Sequence, residues 1–144
     1  MKKISICFII LAGVFAVASL LAAQDAAVFQ AARKEGSVVW YTSVALPSAT
    51  AIAHAFKQKY TGIDVEVHRT GSERVLQRFM QEAASGIKNA DLIHTSDAGH
   101  FELLKGKGML LKFTPQGVAG FPDGFKDKAG FYYGMRSTLS VMAH

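Results

Sequence analysis

The sequence predicts an α/β domain in three αβα layers with a mostly parallel sheet, and three observations predict it. A short β-branched or aromatic run is followed by a helical pattern three times in series. Glycines punctuate the changes of period. And of the 144 residues, 121 follow an apolar leader, enough for one domain with a real core.

The leader comes first. Met1-Lys2-Lys3 is basic, Ile4 to Ala23 is almost wholly apolar, and Gln24-Asp25 begins ordinary soluble sequence. This is the layout of a secretory signal peptide, with cleavage expected after Ala23; an uncleaved membrane anchor is the alternative. Cleavage removes Lys2 and Lys3, so the net charge falls from +5 to +3 with histidine neutral. Cys7, the sole cysteine, leaves with the leader, and the mature chain then has neither a disulfide nor thiol chemistry. A charge of +3 without a basic cluster is no footprint for nucleic acid.

In the mature chain, residues 26–34 read as a helix with Ala27, Phe29, Ala31 and Ala32 on one side, stopped at Gly36. Ser37 to Thr42 is a buried strand. Pro47 suits a helix's first turn, and Ala49 to Tyr60 carries Ile52, Phe56 and Tyr60 on one face. Ile63, Val65 and Val67 alternate with Asp64, Glu66 and His68, a strand with one wetter face. Ser72 is placed to cap the next helix, with Glu73 against its dipole and Val75, Leu76, Phe79, Met80 and Ala83 as its buried stripe. Ala90 to Ile93 is a third strand, and Ser96 or Asp97 can cap a third crossover helix through Phe101, Leu103 and Leu104. Met109 to Phe113 reads as a short strand or extended segment. A long glycine- and proline-rich loop follows, pinned by Phe121, Phe125 and Phe131. Tyr132 to Met142 reads as a last strand.

In parallel sheets ligands bind beyond the carboxyl ends of the strands. That rule selects Thr42-Ser43, Thr70-Gly71-Ser72 and Thr95-Ser96-Asp97, three hydroxyl-rich loops that each lead toward a helix N-terminus. Thr42, Ser43, Gly71, Ser72, Ser96 and Asp97 are thus the candidate ligand-binding residues; capping alone would also place Ser, Thr and Asp there. Arg136 joins them as a guanidinium able to pair with a carboxylate or phosphate, against the plainer reading of a solvated charge. His94 and His100 flank Asp97 in no common zinc spacing, so no metal site and no cofactor are expected. There is no Gly-x-Ser-x-Gly elbow, Walker pattern or Rossmann glycine pattern.

Four segments carry a resemblance: Lys34 to Ser43, Phe56 to Val65, Asn89 to Ile93 and Leu103 to Leu110. Their order and spacing resemble the first lobe of a periplasmic solute-binding protein of an ABC importer, in the branch that includes ferric-iron, phosphonate, polyamine and thiamine binders. The resemblance implies half of a two-lobe periplasmic-binding-protein fold, with a small ligand clamped between lobes. In that family a segment like Tyr132-Tyr133-Gly134-Met135-Arg136 precedes a strand from which the chain crosses to the second lobe. Here the sequence stops at His144. Residues 24–144 are therefore expected to form the N-terminal lobe with the second lobe missing, as a fragment or a truncated product. One lobe offers half the contacts of a closed clamp and leaves its inter-lobe face open.

Iron binders of the family resemble one another in taking a tyrosine pair from the second lobe and often a histidine or acid from the first. This chain has Thr42-Ser43-Val44-Ala45 at the first-strand exit, and Tyr132-Tyr133 lies in the wrong lobe for the iron pair. The expected function is an exported, monomeric, non-enzymatic binder. It would capture a small anionic or oxygen-rich solute (ferric iron, an organic acid or a phosphonate) and deliver it to an ABC permease in the inner membrane. The alternative is a periplasmic hydrolase-like enzyme using a loop serine, or a non-functional fragment.

Overall fold

A run of Val38, Val39, Trp40 and Tyr41 favours an extended backbone because branched and aromatic side chains pack well on a pleated surface. In the computed structural model, which describes residues 26–137, this run is the central strand β1 (Ser37–Thr42). It pairs in parallel with β2 (Asp64–Arg69) on one side and β3 (Leu92–His94) on the other, so the sheet order is β2-β1-β3. Parallel neighbours need crossover helices, and α2 (Leu46–Lys59) and α3 (Ser72–Ala84) supply them. The proposed cleavage after Ala23 and the strand expected at 138–142 lie outside the described residues.

The chain divides into two compact units at residue 94. In the first, alternation along β1 sends Trp40 and Tyr41 to opposite faces, and both are buried. Trp40 packs with Val44 and with Ala49 of α2, over Val65 and Val67 of β2. Tyr41 faces α3, its hydroxyl donating to Glu82. Helices thus cover both faces of the sheet, as the three-layer expectation requires. Residues 26–35 form α1, whose Phe29 ring lies 6.0 Å from Tyr60, itself 4.7 Å from Phe56. Gly62 sits at φ +92° where a Cβ would lie 2.9 Å from Arg33 Nε, so the α2–β2 turn needs glycine twice over.

Three expectations shift. Ile52 does not share the buried face of Phe56 and Tyr60; it is 40% exposed, and α2 buries the small Ala49 instead. The cap of α3 is Gly71 rather than Ser72, because the helix begins one residue earlier, with Ser72 as its first residue. β3 begins at Leu92 rather than Ala90. The Asp91 carboxylate takes the Val39 amide at 2.8 Å while the Asp91 amide donates to Val39 O, so a side chain fills the place of a ladder carbonyl.

The second unit holds α4 (Ala98–Gly106), capped by Asp97, whose Oδ1 accepts the Gly99 amide at 2.8 Å. Leu104 is its fully buried anchor. Beyond it Met109 to Phe113 is irregular rather than a strand, and Val118–Gly120 and Asp123–Phe125 are single 3₁₀ turns. Polar ties hold this segment. Lys105 Nζ lies 2.7 Å from Asp127 Oδ1, and the Tyr132 hydroxyl donates to Glu102 at 2.5 Å. The hydrogen bond to Glu102, with burial, pushes the Tyr132 phenol up to about 12. Phe121 is 42% exposed, and residues 132–137 carry one antiparallel bridge, Lys126 to Tyr133, rather than a strand.

Ala49 has no exposed surface against Trp40 and Val44. Ala49→Leu should therefore overpack this layer and cost about 1–3 kcal/mol in urea unfolding, whereas Ala55→Leu on the exposed side of α2 should change little. Equal midpoints for the two variants would contradict the packing described.

Candidate functional site

The three parallel strands end together, because Thr42 is in register with Arg69 on one side and His94 on the other. Hydrogen bonds continue past the strand ends: the Thr70 amide donates to Thr42 O and the Ser43 amide to His94 O, both at 3.0 Å. Thr42, Ser43, Gly71 and Ser72 therefore meet at one sheet edge. Their side chains differ in what they can offer. Thr42 is fully buried, and its Oγ1 accepts the Val44 amide at 3.1 Å and lies 3.3 Å from His94 Nδ1. That hydroxyl is committed inward and holds the edge together. Ser43 Oγ is buried with no hydrogen-bond partner among the described residues. Gly71 is exposed and Ser72 half-buried.

Ser96, Asp97 and Arg136 belong to the second unit. All three are exposed. Asp97 caps α4 and has Oδ2 3.7 Å from His100 Nε2, and the Thr95 hydroxyl donates to Asp97 O. Among the described residues no group of three His, Cys, Asp or Glu side chains converges on a point that could hold a metal ion.

The sequence reading missed a cleft of about 230 Å³ beside the β1–β2 edge. His68, Arg69, Thr70 and Arg78 form its polar wall, with Tyr41, Val67 and Val75 as the apolar part. Arg78 is fixed from several sides. Its Nε donates to Glu82 Oε1 at 2.8 Å, its Nη1 lies 3.4 Å from His68 Nδ1, and its guanidinium sits 4.4 Å from the Tyr41 ring centroid. The Tyr41 and His68 rings meet edge-on at 5.2 Å. Glu82 receives both Tyr41 and Arg78. Burial alone would raise its carboxyl, but the hydrogen bonds from Arg78 and Tyr41 outweigh that and hold it below the usual carboxylate range. Burial, and then the bond to Glu82, push the Tyr41 phenol up. The i,i+4 spacing of Arg78 and Glu82 was the only trace in the sequence, and by itself it marks an ordinary solvated helix pair.

No family model matches the chain, and no curated protein matches it. Solved structures do. Iron-bound HitA from Pseudomonas aeruginosa is 26% identical over 65% of this chain and 30% of its own, with a TM-score of 0.57. The IdiA (FutA) protein of Trichodesmium, in complex with iron and citrate, is 22% identical over 69% of this chain and 31% of its own, with a TM-score of 0.59. The chain has the fold of part of one periplasmic-binding-protein lobe. Its matched region spans about a third of the length of these neighbours. No helix among the described residues is long and apolar enough to cross a membrane.

Glu82 has a lowered folded-state pKa, so its contribution to stability is present above the ordinary value of 4.5 and is lost as pH falls through the lower folded one. Glu82→Gln should flatten that part of the acid loss in urea unfolding at pH 2–5. It should also lower the Tyr41 phenol pKa in an ultraviolet titration, since Glu82 raises it in the native protein. A Tyr41 titration unmoved by the substitution would contradict the Tyr41–Glu82 hydrogen bond.

Proposed function

We propose that the chain is the substrate-capturing lobe of an exported ABC-importer binding protein. Residues 1–23 direct export and are cleaved, and residues 24–144 hold a small anionic or oxygen-rich solute for a membrane permease. The likeness in fold to iron-bound HitA carries this reading, and the IdiA (FutA) complex with iron and citrate has the same fold. Together they favour ferric iron, or a carboxylate complex of it, as the solute to test first. The edge chemistry supports a binder: Thr70, just past the end of β2, lines a cleft whose charged walls are arginines, and Ser43, Gly71 and Ser72 follow the same strand ends. In this reading Ser96, Asp97 and Arg136 stay candidate solute contacts for their hydroxyl, carboxylate and guanidinium chemistry, and the rest of a clamp comes from a second lobe. A single lobe gives a weak, fast-exchanging site, because closure around the solute is what excludes water and doubles the contacts.

Thermal unfolding of the full chain with ferric citrate, citrate, phosphate and a simple phosphonate tests the proposal. A solute held at a hundred times its Kd stabilises by about 2.7 kcal/mol, a rise in Tm of several degrees for a chain this size. At least one of these solutes should raise Tm without being consumed. No rise with any of them, or turnover that Ser43→Ala abolishes, would contradict it, and turnover would favour the hydrolase alternative.

A further inference from the structure

The cleft beside the β1–β2 edge carries charge that the hydroxyl loops do not explain. Two guanidiniums line it, and no Asp or Glu does. Glu82 holds Arg78 without itself lining the cleft. Arg78 is thus a fixed positive wall, positioned by Glu82, His68 and Tyr41. Arg69 is held differently. Its Nε donates to Val44 O at 3.3 Å, and its two terminal nitrogens make no further hydrogen bond among the described residues. One anchored nitrogen sets the direction of the side chain, while the outer edge of the planar fork stays open to solvent. The ordering that a ligand would otherwise have to impose on two long side chains is already largely in place. At about 230 Å³ the cleft is smaller than the usual range for drug-sized ligands, and suits one compact group.

We propose that this cleft is an anion site in which Arg69 grips a carboxylate or phosphate group of the solute, Thr70 adds a hydroxyl, and Arg78 supplies the fixed counter-charge. This rests on the solute-binding reading and narrows it. The chain takes hold of the solute by its anionic oxygens, and a bare metal cation, repelled by both guanidiniums, is not what this cleft binds. A guanidinium facing an oxyanion forms two parallel charge-assisted hydrogen bonds, stronger than neutral ones and matched in geometry to carboxylate and phosphate alike.

The test is a titration of the ¹⁵N-labelled full chain, at low ionic strength, with sodium citrate and separately with inorganic phosphate. A third titration uses gallium(III) as a redox-inert trivalent cation. One or both anions should shift the amide signals of Arg69, Thr70 and Arg78, and which of them does so distinguishes a carboxylate from a phosphate ligand. Gallium alone should leave these signals in place. Arg69→Gln should weaken anion binding roughly tenfold, the loss of one strong charge-assisted contact, and Arg69→Lys should recover part of it. Anion binding with shifts elsewhere and an unchanged Kd in Arg69→Gln would overturn the anion site while leaving solute binding intact. So would gallium shifting the cleft signals by itself. Failure of both anions to bind would also overturn it, and if ferric citrate gave no rise in Tm either, the solute-binding reading would fall with it. The wild-type shift map decides the matter even if a variant misfolds.

Discussion

The parallel alignment of three strand ends at Thr42 is the constraint on which the rest of the first unit depends. Thr42 is in register with Arg69 and His94, and its carbonyl takes the Thr70 amide while its hydroxyl takes the Val44 amide. Both of these buried Thr42 groups are thereby matched, in a place where an unmatched one costs about 1–3 kcal/mol. The same bonds dictate where the chain turns. β1 leaves the edge into α2 across Ser43 to Ala45, and β2 leaves it into α3 across Thr70 and Gly71. A slip of one residue in β1 would exchange Trp40 and Tyr41 between the two helical layers.

Tyr41 connects this edge to the cleft. Its ring lies one residue before the strand end and its hydroxyl reaches Glu82, which in turn holds Arg78. The strength of that chain is modest. Arg78 is nearly half exposed, and pairs of this kind contribute on the order of 0.3–0.5 kcal/mol at i,i+4 spacing. Its consequence is positional: an exposed arginine that would otherwise sample many rotamers is kept over one aromatic ring. The Lys57–Asp64 pair, exposed on both sides, has no such framework and adds little.

Local patterns made most of the first unit legible. Alternation from Ile63 to Val67, the β-branched run before Thr42 and the glycines at 36, 62 and 86 each report a backbone choice made by nearest neighbours. The positions that shifted are those where a side chain competes with the backbone, as Asp91 does by taking the Val39 amide. Beyond Met109 there is no period to read, because Lys105–Asp127 and Glu102–Tyr132 join residues more than twenty apart. The site was legible to the same depth. Hydroxyl-rich turns stand out in sequence, so Thr42, Ser43, Gly71 and Ser72 could be placed at one edge. Whether a hydroxyl points outward depends on tertiary partners, and so the inward commitment of Thr42 was not visible. Nor was the cleft, since Tyr41 and Glu82 are 41 residues apart and leave no pattern.

Amide hydrogen exchange at the strand ends tests the central constraint most directly. Ser43 and Thr70 lie outside the strands, and loop amides ordinarily exchange fast. If the aligned edge holds as described, their amides, bonded to His94 O and Thr42 O, should be protected to nearly the same degree as those of Trp40 and Tyr41. Exchange at Ser43 and Thr70 as rapid as at the exposed Gly71 would mean that the three strand ends are not locked together, and the shared edge would be lost with them.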